Sequence, residues 1–351
     1  MPRSFSSTLL LALAVGGCVS TENLRPLTGP QWEVQYEDST ALFIALSIVD
    51  ERTVWVSGAP GKVGRTTDGG DSWTMFEGPW PDSLQFRDVH AFSEDEAFIL
   101  SIGNGRDSRI YHTIDGGRSW QLSFQNEDPN AFFDCFSFWD AQRGFAFSDS
   151  HNGEFILIRT MDGGDSWHYV EPSNIPDAHD GEGSFAASGT CVETQPGGIG
   201  WFGTGASSID TRVIRTADYG ETWLEATTPI ESTAGDEGIV SVLFWNEMKG
   251  IALGGVGTRE MNNVAITSDR GASWRSTGGI ALGGRVYGAS IVPGAPSPTI
   301  VVVSPLGSAF STDNGASWTT FDAYEYWTTA FLDATTGWAA GRGRISRLKQ
   351  R

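Results

Sequence analysis

The chain has 351 residues, with 43 acidic against 23 basic side chains and a formal net charge of −20. That balance argues against a nucleic-acid-binding surface and against attraction to anionic membranes. With 39% hydrophobic residues, 44 glycines and 14 tryptophans, the composition is that of a turn-rich globular chain with a substantial core.

The first element is a targeting segment. Arg3 supplies a charged start, and Leu9-Leu10-Leu11-Ala12-Leu13-Ala14-Val15 is an apolar run too short to cross a bilayer. It ends at Val15-Gly16-Gly17-Cys18, which resembles a bacterial lipobox. Residues 1–17 are therefore expected to be a lipoprotein signal peptide, Cys18 the lipidated residue, and 18–30 a tether. Val19 after the cysteine, in place of Asp, favours the outer over the inner membrane, on the periplasmic side. Residues 31–351 are expected to form one domain. It opens with Gln31-Trp32-Glu33-Val34-Gln35-Tyr36, a strand pattern beginning with Trp.

Beyond that strand, one phrase organises the chain. Thr66-Thr67-Asp68-Gly69-Gly70-Asp71-Ser72-Trp73 recurs as TIDGGRSW at 113–120, TMDGGDSW at 160–167, TADYGETW at 216–223, TSDRGASW at 267–274 and STDNGASW at 311–318. The pattern is [ST]-x-D-x-G-x-[ST]-W, and its Asp residues stand at 68, 115, 162, 218, 269 and 313. Units of about 40–50 residues built from strands indicate propeller blades. Each copy lies between β-rich runs, as Phe155–Arg159 and His168–Val170 flank the third, so it reads as a hairpin turn. Gly supplies the positive φ, Asp bonds its own turn, and Trp opens the next strand with its ring between sheets and its N–H on a polar partner.

A second signature precedes the boxes, as in Phe138-Trp139-Asp140…Gly144-Phe145, and recurs after the last one as Phe331-Leu332-Asp333…Gly337-Trp338. That final unit has no box and stops at a third strand, Ile345–Leu348, which leaves residues 31–36 to supply the fourth. The expectation is an all-β, seven-bladed propeller of four-stranded blades with six boxes, closed by the N-terminal strand.

These boxes are those of the Asp-box, or BNR repeat, and the chain resembles the Asp-box β-propeller superfamily, which includes the sialidases, along its mature length. With Arg before the box at Arg65 and Arg159, the form is similar to the photosystem II assembly and stability factor-like group and to bacterial relatives labelled oxidoreductase or glycosyl hydrolase. The resemblance implies boxes on the rim, away from the active face. Asp68, Asp115, Asp162, Asp218, Asp269 and Asp313, with Trp73, Trp120, Trp167, Trp223, Trp274 and Trp318, are then structural. It also implies a binding or assembly scaffold for a protein partner.

The loops of the opposite face carry the candidate chemistry. The connection 170–185 and the inner loop 148–154 bring Asp149, His151, Asp177, His179, Asp180 and Glu182 to one region. Asp149 and Glu182 are the candidate carboxylates of the alternative reading, a glycoside hydrolase. The same loops offer hard oxygen ligands for a divalent cation, although no cofactor or metal is otherwise indicated. Trp80, Tyr324, Tyr326 and Trp327 are candidate aromatic platforms for a peptide or glycan. Arg106, Arg109, Arg212, Arg259, Arg285 and Arg342 are candidate carboxylate binders. The chain lacks the Arg-Ile-Pro segment of sialidases, and Gly203-x-Gly205 is not the strand–GxGxxG–helix unit of a dinucleotide site. Cys135 and Cys191 fall on inner strands of adjacent blades, where free thiols are expected because the backbones there stand far apart. A monomer is expected.

Overall fold

The computed structural model describes residues 25–205, 210–232, 237–255, 262–280, 282 and 286–350. Residues 1–24, with the signal segment and Cys18, and the loops that hold Arg259 and Arg285 lie outside the described residues. In chain order the strands are β1 (Pro30–Ile48), β2 (Val54–Ala59), β3 (Lys62–Thr66) and β4 (Thr74–Phe76), then β5 (Gln85–Ala91), β6 (Ala97–Ile102), β7 (Arg109–Thr113) and β8 (Gln121–Gln125). They continue with β9 (Phe133–Asp140), β10 (Arg143–His151), β11 (Glu154–Thr160) and β12 (His168–Tyr169), and β13 (Val192–Gln195), β14 (Ile199–Gly203), β15 (Arg212–Thr216) and β16 (Leu224–Thr227). The last are β17 (Gly238–Phe244), β18 (Gly250–Gly255), β19 (Val264–Thr267) and β20 (Arg275–Gly278), β21 (Gly288–Ile291), β22 (Ile300–Ser304), β23 (Gly307–Ser311) and β24 (Thr319–Asp322), and β25 (Tyr326–Phe331) and β26 (Gly337–Gln350). Every pairing is antiparallel.

The expected count of seven blades is corrected by this pairing. The strands form six sheets: five of four strands, and one of six in the order β25-β26-β1-β2-β3-β4. The reason lies in two long strands. β1 runs for 19 residues and β26 for 14, so the terminal unit and the first unit share one continuous sheet instead of forming two. Counted by sheets, the propeller has six blades. The N-terminal half of β1 pairs with β26 in the register Trp32↔Leu348 and Val34↔Ser346, and its C-terminal half pairs with β2. The two ends of the chain are thereby zipped together. The Trp32 indole donates to Ser308 Oγ at 3.0 Å and packs against Phe321, Tyr326 and Phe331. Gln35 Nε2 and Arg347 Nη1 both donate to the Gly69 carbonyl, which fixes the first box to the closing strands.

The first strands of the units, β5, β9, β13, β17, β21 and β25, neighbour one another in a ring that β1 completes. The core lies in slices between adjacent sheets. Phe147 stacks on Phe202 at 4.3 Å and Trp201 on Phe244 at 3.6 Å across such boundaries. Sheets covered on both faces have continuous apolar strands, as in the buried Ile300–Val303 run.

The boxes share one geometry. In the first, Asp68 Oδ1 accepts from Thr66 Oγ1 at 2.8 Å and from the Ser72 N–H at 2.9 Å, Oδ2 accepts from Ser72 Oγ at 2.6 Å, and Thr66 Oγ1 accepts from the Gly70 N–H. The bonds recur around Asp115, Asp162, Asp218, Asp269 and Asp313. These donors hold the Asp68 and Asp115 carboxyls down at about 2. The turn needs two consecutive left-handed residues, the box Gly and the residue before it, and Tyr219, Arg270 and Asn314 adopt that conformation without being glycine. Four box tryptophans donate their N–H to Ser123 Oγ or to the box Gly carbonyl, whereas those of Trp73 and Trp120 are buried with no acceptor among the described residues.

Cys135 and Cys191 are bonded as a disulfide, which corrects the expectation of free thiols. The connection ahead of β13 brings Cys191 to a Cα–Cα distance of 6.4 Å, inside disulfide reach.

Candidate functional site

In an antiparallel four-stranded unit, the turn between third and fourth strands lies at the end opposite the start of the first strand. The boxes occupy that turn. A cavity of about 320 Å³ opens at the other end, where the inner strands begin around the central axis. Its polar residues are Arg87 from β5, Asp134 from β9, Asp149 from β10 and Ser184 from the long connection ahead of β13. Its aromatic wall is Phe132, Phe185, Tyr287 and Trp327.

Local structure explains how these side chains arrive. The β10–β11 register shifts between Ser148 and Ser150, and this bulge leaves Asp149 out of the ladder. The connection 183–187 is pinned by isolated bridges from Gly183 to Gly205 and from Gly205 to Gly238. A Cβ on Gly205 would stand 2.5 Å from the Gly238 Cα, so Gly203-x-Gly205 serves close backbone packing. A Cβ on Gly183 would stand 2.1 Å from Asp149 Oδ1. The Ser184 N–H donates to that oxygen at 2.9 Å.

Asp134 is 1% exposed and its carboxyl lies beside that of Asp149. Two carboxyls in such contact away from water cannot both ionise, and the pair keeps a proton. Burial, and then the Asp149 charge, push Asp134 well above the usual carboxylate range; burial also raises Asp149. Among the described residues Asp134 Oδ2 has no hydrogen-bond donor, which suits it to carry that proton. Arg87 donates from Nη1 to the Ala186 carbonyl and from Nη2 to Gln85 Oε1, both at 2.8 Å, while its buried Nε has no acceptor among the described residues. Its guanidinium carbon lies 5.6 Å from the Trp327 ring centroid, and Trp327 meets Tyr287 edge-on at 4.7 Å. The result is a cup that sets a guanidinium and a neighbouring pair of carboxyls between aromatic walls.

The candidates from sequence are dispersed by the fold. Asp149 and Trp327 line the cup. Glu182 does not: it is 1% exposed and bound by Arg212, whose Nε donates to Oε1 at 3.0 Å, with Thr204 Oγ1 at 2.5 Å. The Glu182 carboxylate also caps the His179 N–H, and Arg212 donates to the Asp177 carbonyl, so this ion pair organises the connection. His151 sits part-exposed at the β10–β11 turn, and Asp177 and Asp180 are exposed. Trp80 and Tyr326 are corrected from surface platforms to core. Trp80 is 8% exposed, packs on Phe86, Tyr111 and Trp120 and donates to the Gly61 carbonyl. Tyr326 is 0% exposed, with its hydroxyl on Ser346 Oγ. Tyr324 is exposed, beneath Arg344. Arg106 pairs with Glu127, Arg342 with Glu325, and Arg109 donates to the Tyr111 hydroxyl. No group of three or more His, Cys, Asp or Glu placed to hold a metal ion occurs among the described residues.

Sequence reasoning missed Arg87, Asp134 and Tyr287. The available signal was a charged residue directly after a Phe at the start of an inner strand, as in Phe86-Arg87 and Phe133-Asp134.

No protein-family model matches the chain, and no curated protein matches it. Solved structures do. YCF48 bound to D1 peptide is 17% identical with a TM-score of 0.65, over 91% of this chain and 97% of that one. YCF48 from Cyanidioschyzon merolae is 14% identical with a TM-score of 0.63, over 91% and 98%. A streptogramin B lyase structure is 14% identical with a TM-score of 0.64, over 92% and 98%. At these identities the likeness is one of fold: the chain is an all-β propeller similar in architecture to the two YCF48 structures and the lyase structure.

Proposed function

We propose that this protein is a binding propeller of the Asp-box type, which presents the mouth of its central channel to a protein partner from a lipid anchor at Cys18 on the periplasmic side, at the outer membrane. The observation that carries this reading is the cup itself, where Arg87, the Asp134–Asp149 pair, Tyr287 and Trp327 converge from separate inner strands and loops. A half-buried guanidinium beside aromatic rings is the kind of anchor that dominates protein interfaces. The structure of YCF48 bound to D1 peptide supports it by analogy, since that propeller of similar fold engages a peptide. The recurring box hydrogen bonds support the superfamily assignment, and the Cys135–Cys191 bridge suits an oxidising compartment.

The glycoside hydrolase alternative draws less support. Its second carboxylate, Glu182, is sequestered by Arg212, and the carboxyl that lies beside Asp149 is instead that of the buried Asp134, which burial keeps protonated.

The test is quantitative cross-linking in cells that carry wild type, Arg87→Ala/Trp327→Ala, or Tyr169→Ala/Leu224→Ala on the outer rim. The expected result is a protein enriched with wild type and the rim variant and lost with the cup variant. Equal enrichment in all three contradicts the proposal.

A further inference from the structure

At the box-side end of the channel, the ends of β17, β21 and β25 enclose a second cavity of about 690 Å³. That volume lies within the range of small-molecule sites, ~300–1,000 Å³. Its walls combine apolar side chains, Leu243, Phe244, Trp245, Ile291 and the prolines of the 293–298 turn, with the hydroxyls of Thr190, Ser290 and Thr329, and among the described residues one ionisable side chain lines it, Glu193 of β13. Strand β13 is held against β17 here by Gln195, whose Nε2 donates to the Phe244 carbonyl at 2.8 Å.

Glu193 is mismatched with these surroundings. Among the described residues no hydrogen bond or ion pair reaches its carboxyl, and burial alone pushes it up to about 8. The indole N–H of Trp245, on the same wall, is likewise buried without an acceptor. An adjoining cavity of about 290 Å³ adds Asp88 and His90 from β5 as the other titratable groups beside Glu193. Neither supplies a counter-charge. Asp88 is raised by burial, and its carboxyl accepts the Val89 and Phe136 N–H groups. His90, lowered by burial to about 4, is neutral and packs on Phe92 and Phe138. The remaining polar lining is hydroxyl: Ser47, Ser137, Thr190, Thr194 and Thr328.

We propose that this cavity binds an organic cation, a primary amine on an apolar body, with its ammonium against the Glu193 carboxylate and its body against Leu243, Phe244 and Trp245. An ammonium is the group that satisfies a part-buried carboxyl with no other counter-charge, and the aromatic faces add cation–π attraction. The net charge of −20 raises the local concentration of cations. Binding converts Glu193 from acid to carboxylate and releases its proton, so affinity rises with pH across the neutral range. A neutral hydrogen-bond acceptor would favour the protonated acid and show the opposite trend. The site is distinct from the cup at the other mouth and does not depend on the partner proposed there.

The experiment is calorimetric titration of the full mature chain with phenethylamine and with its neutral analogue 2-phenylethanol, at pH 6 and pH 8, in buffers of differing ionisation heat. The expected result is amine binding with proton release, roughly tenfold or more tighter at pH 8, and much weaker binding of the alcohol. Glu193→Gln, which has the shape of the protonated acid, is expected to lose at least roughly tenfold in amine affinity together with its pH dependence. Three results each overturn the proposal: no amine binding by the unmodified protein at millimolar concentration, equal binding of amine and alcohol, or unchanged amine affinity in Glu193→Gln.

Discussion

Reducing the Cys135–Cys191 bridge measures how strongly one covalent link holds neighbouring sheets together. The bridge joins β9 to the start of β13 and closes a loop of 56 residues. In the chain-entropy account, a loop of that length is stabilised by about 4 kcal/mol, because the cross-link removes conformations from the unfolded chain. Both sulfurs are fully buried among Phe145, Phe147, Phe202 and Trp223, so reduction leaves the thiols in a packed site and opens no new cavity. The full entropic difference is therefore expected to appear as lost stability. The assay is urea unfolding followed by tryptophan fluorescence and circular dichroism, on the oxidised protein and on protein reduced while unfolded and refolded with reductant. With an m-value of roughly 3 kcal/mol/M or more, the midpoint falls by about 1 M on reduction. Coincident curves, or two titratable thiols in the untreated protein, refute the reasoning.

Other outcomes follow from the same structure. Deleting Gln31–Tyr36 removes the partner of β26 and the Trp32 contacts, and is expected to collapse the cooperative melt; a truncated chain that melts like the intact one contradicts the zipped closure. Asp269→Ala removes acceptors for Thr267 and Ser273 and is expected to cost about 1–3 kcal/mol in denaturant unfolding. Because the box carboxyls titrate below their unfolded values, to about 2 for Asp68, their stabilisation is present above about pH 4 and is lost as pH falls through the folded value, read as an acid limb of the melting curve. The Asp134–Asp149 pair has the opposite sign. Its raised titration makes its contribution full below the ordinary carboxylate range and lost as pH rises through the folded value, so Asp134→Asn is expected to flatten that alkaline-side decline. Cys18→Ser is expected to abolish palmitate labelling and release the protein from the membrane fraction.

The repeat made the fold legible because each box turn carries its own hydrogen bonds: Thr66, Asp68, Gly70 and Ser72 satisfy one another whatever surrounds them. The sheet count was less legible. Glu37-Asp38-Ser39-Thr40 reads as a loop, yet β1 runs through it with shifts in register, and pairing to β26 on one half and β2 on the other merges two units. The disulfide depends on the approach of the connection before β13, which strand spacing alone does not give. The aromatic candidates failed where local sequence and tertiary burial part company: Pro79-Trp80-Pro81 looks like an exposed loop, but Trp80 folds back over Gly61. The cup was least legible, because Arg87, Asp134 and Tyr287 meet only after the ring closes around the axis.

The cup as a docking site is tested most directly by photo-cross-linking from within it. A photoreactive amino acid at Trp327, on the aromatic wall, is compared with the same residue at Leu224, exposed on the outer rim. The account predicts a discrete adduct to one partner protein from position 327, suppressed by Arg87→Ala, and none from position 224. An adduct from the rim with none from the cup contradicts it.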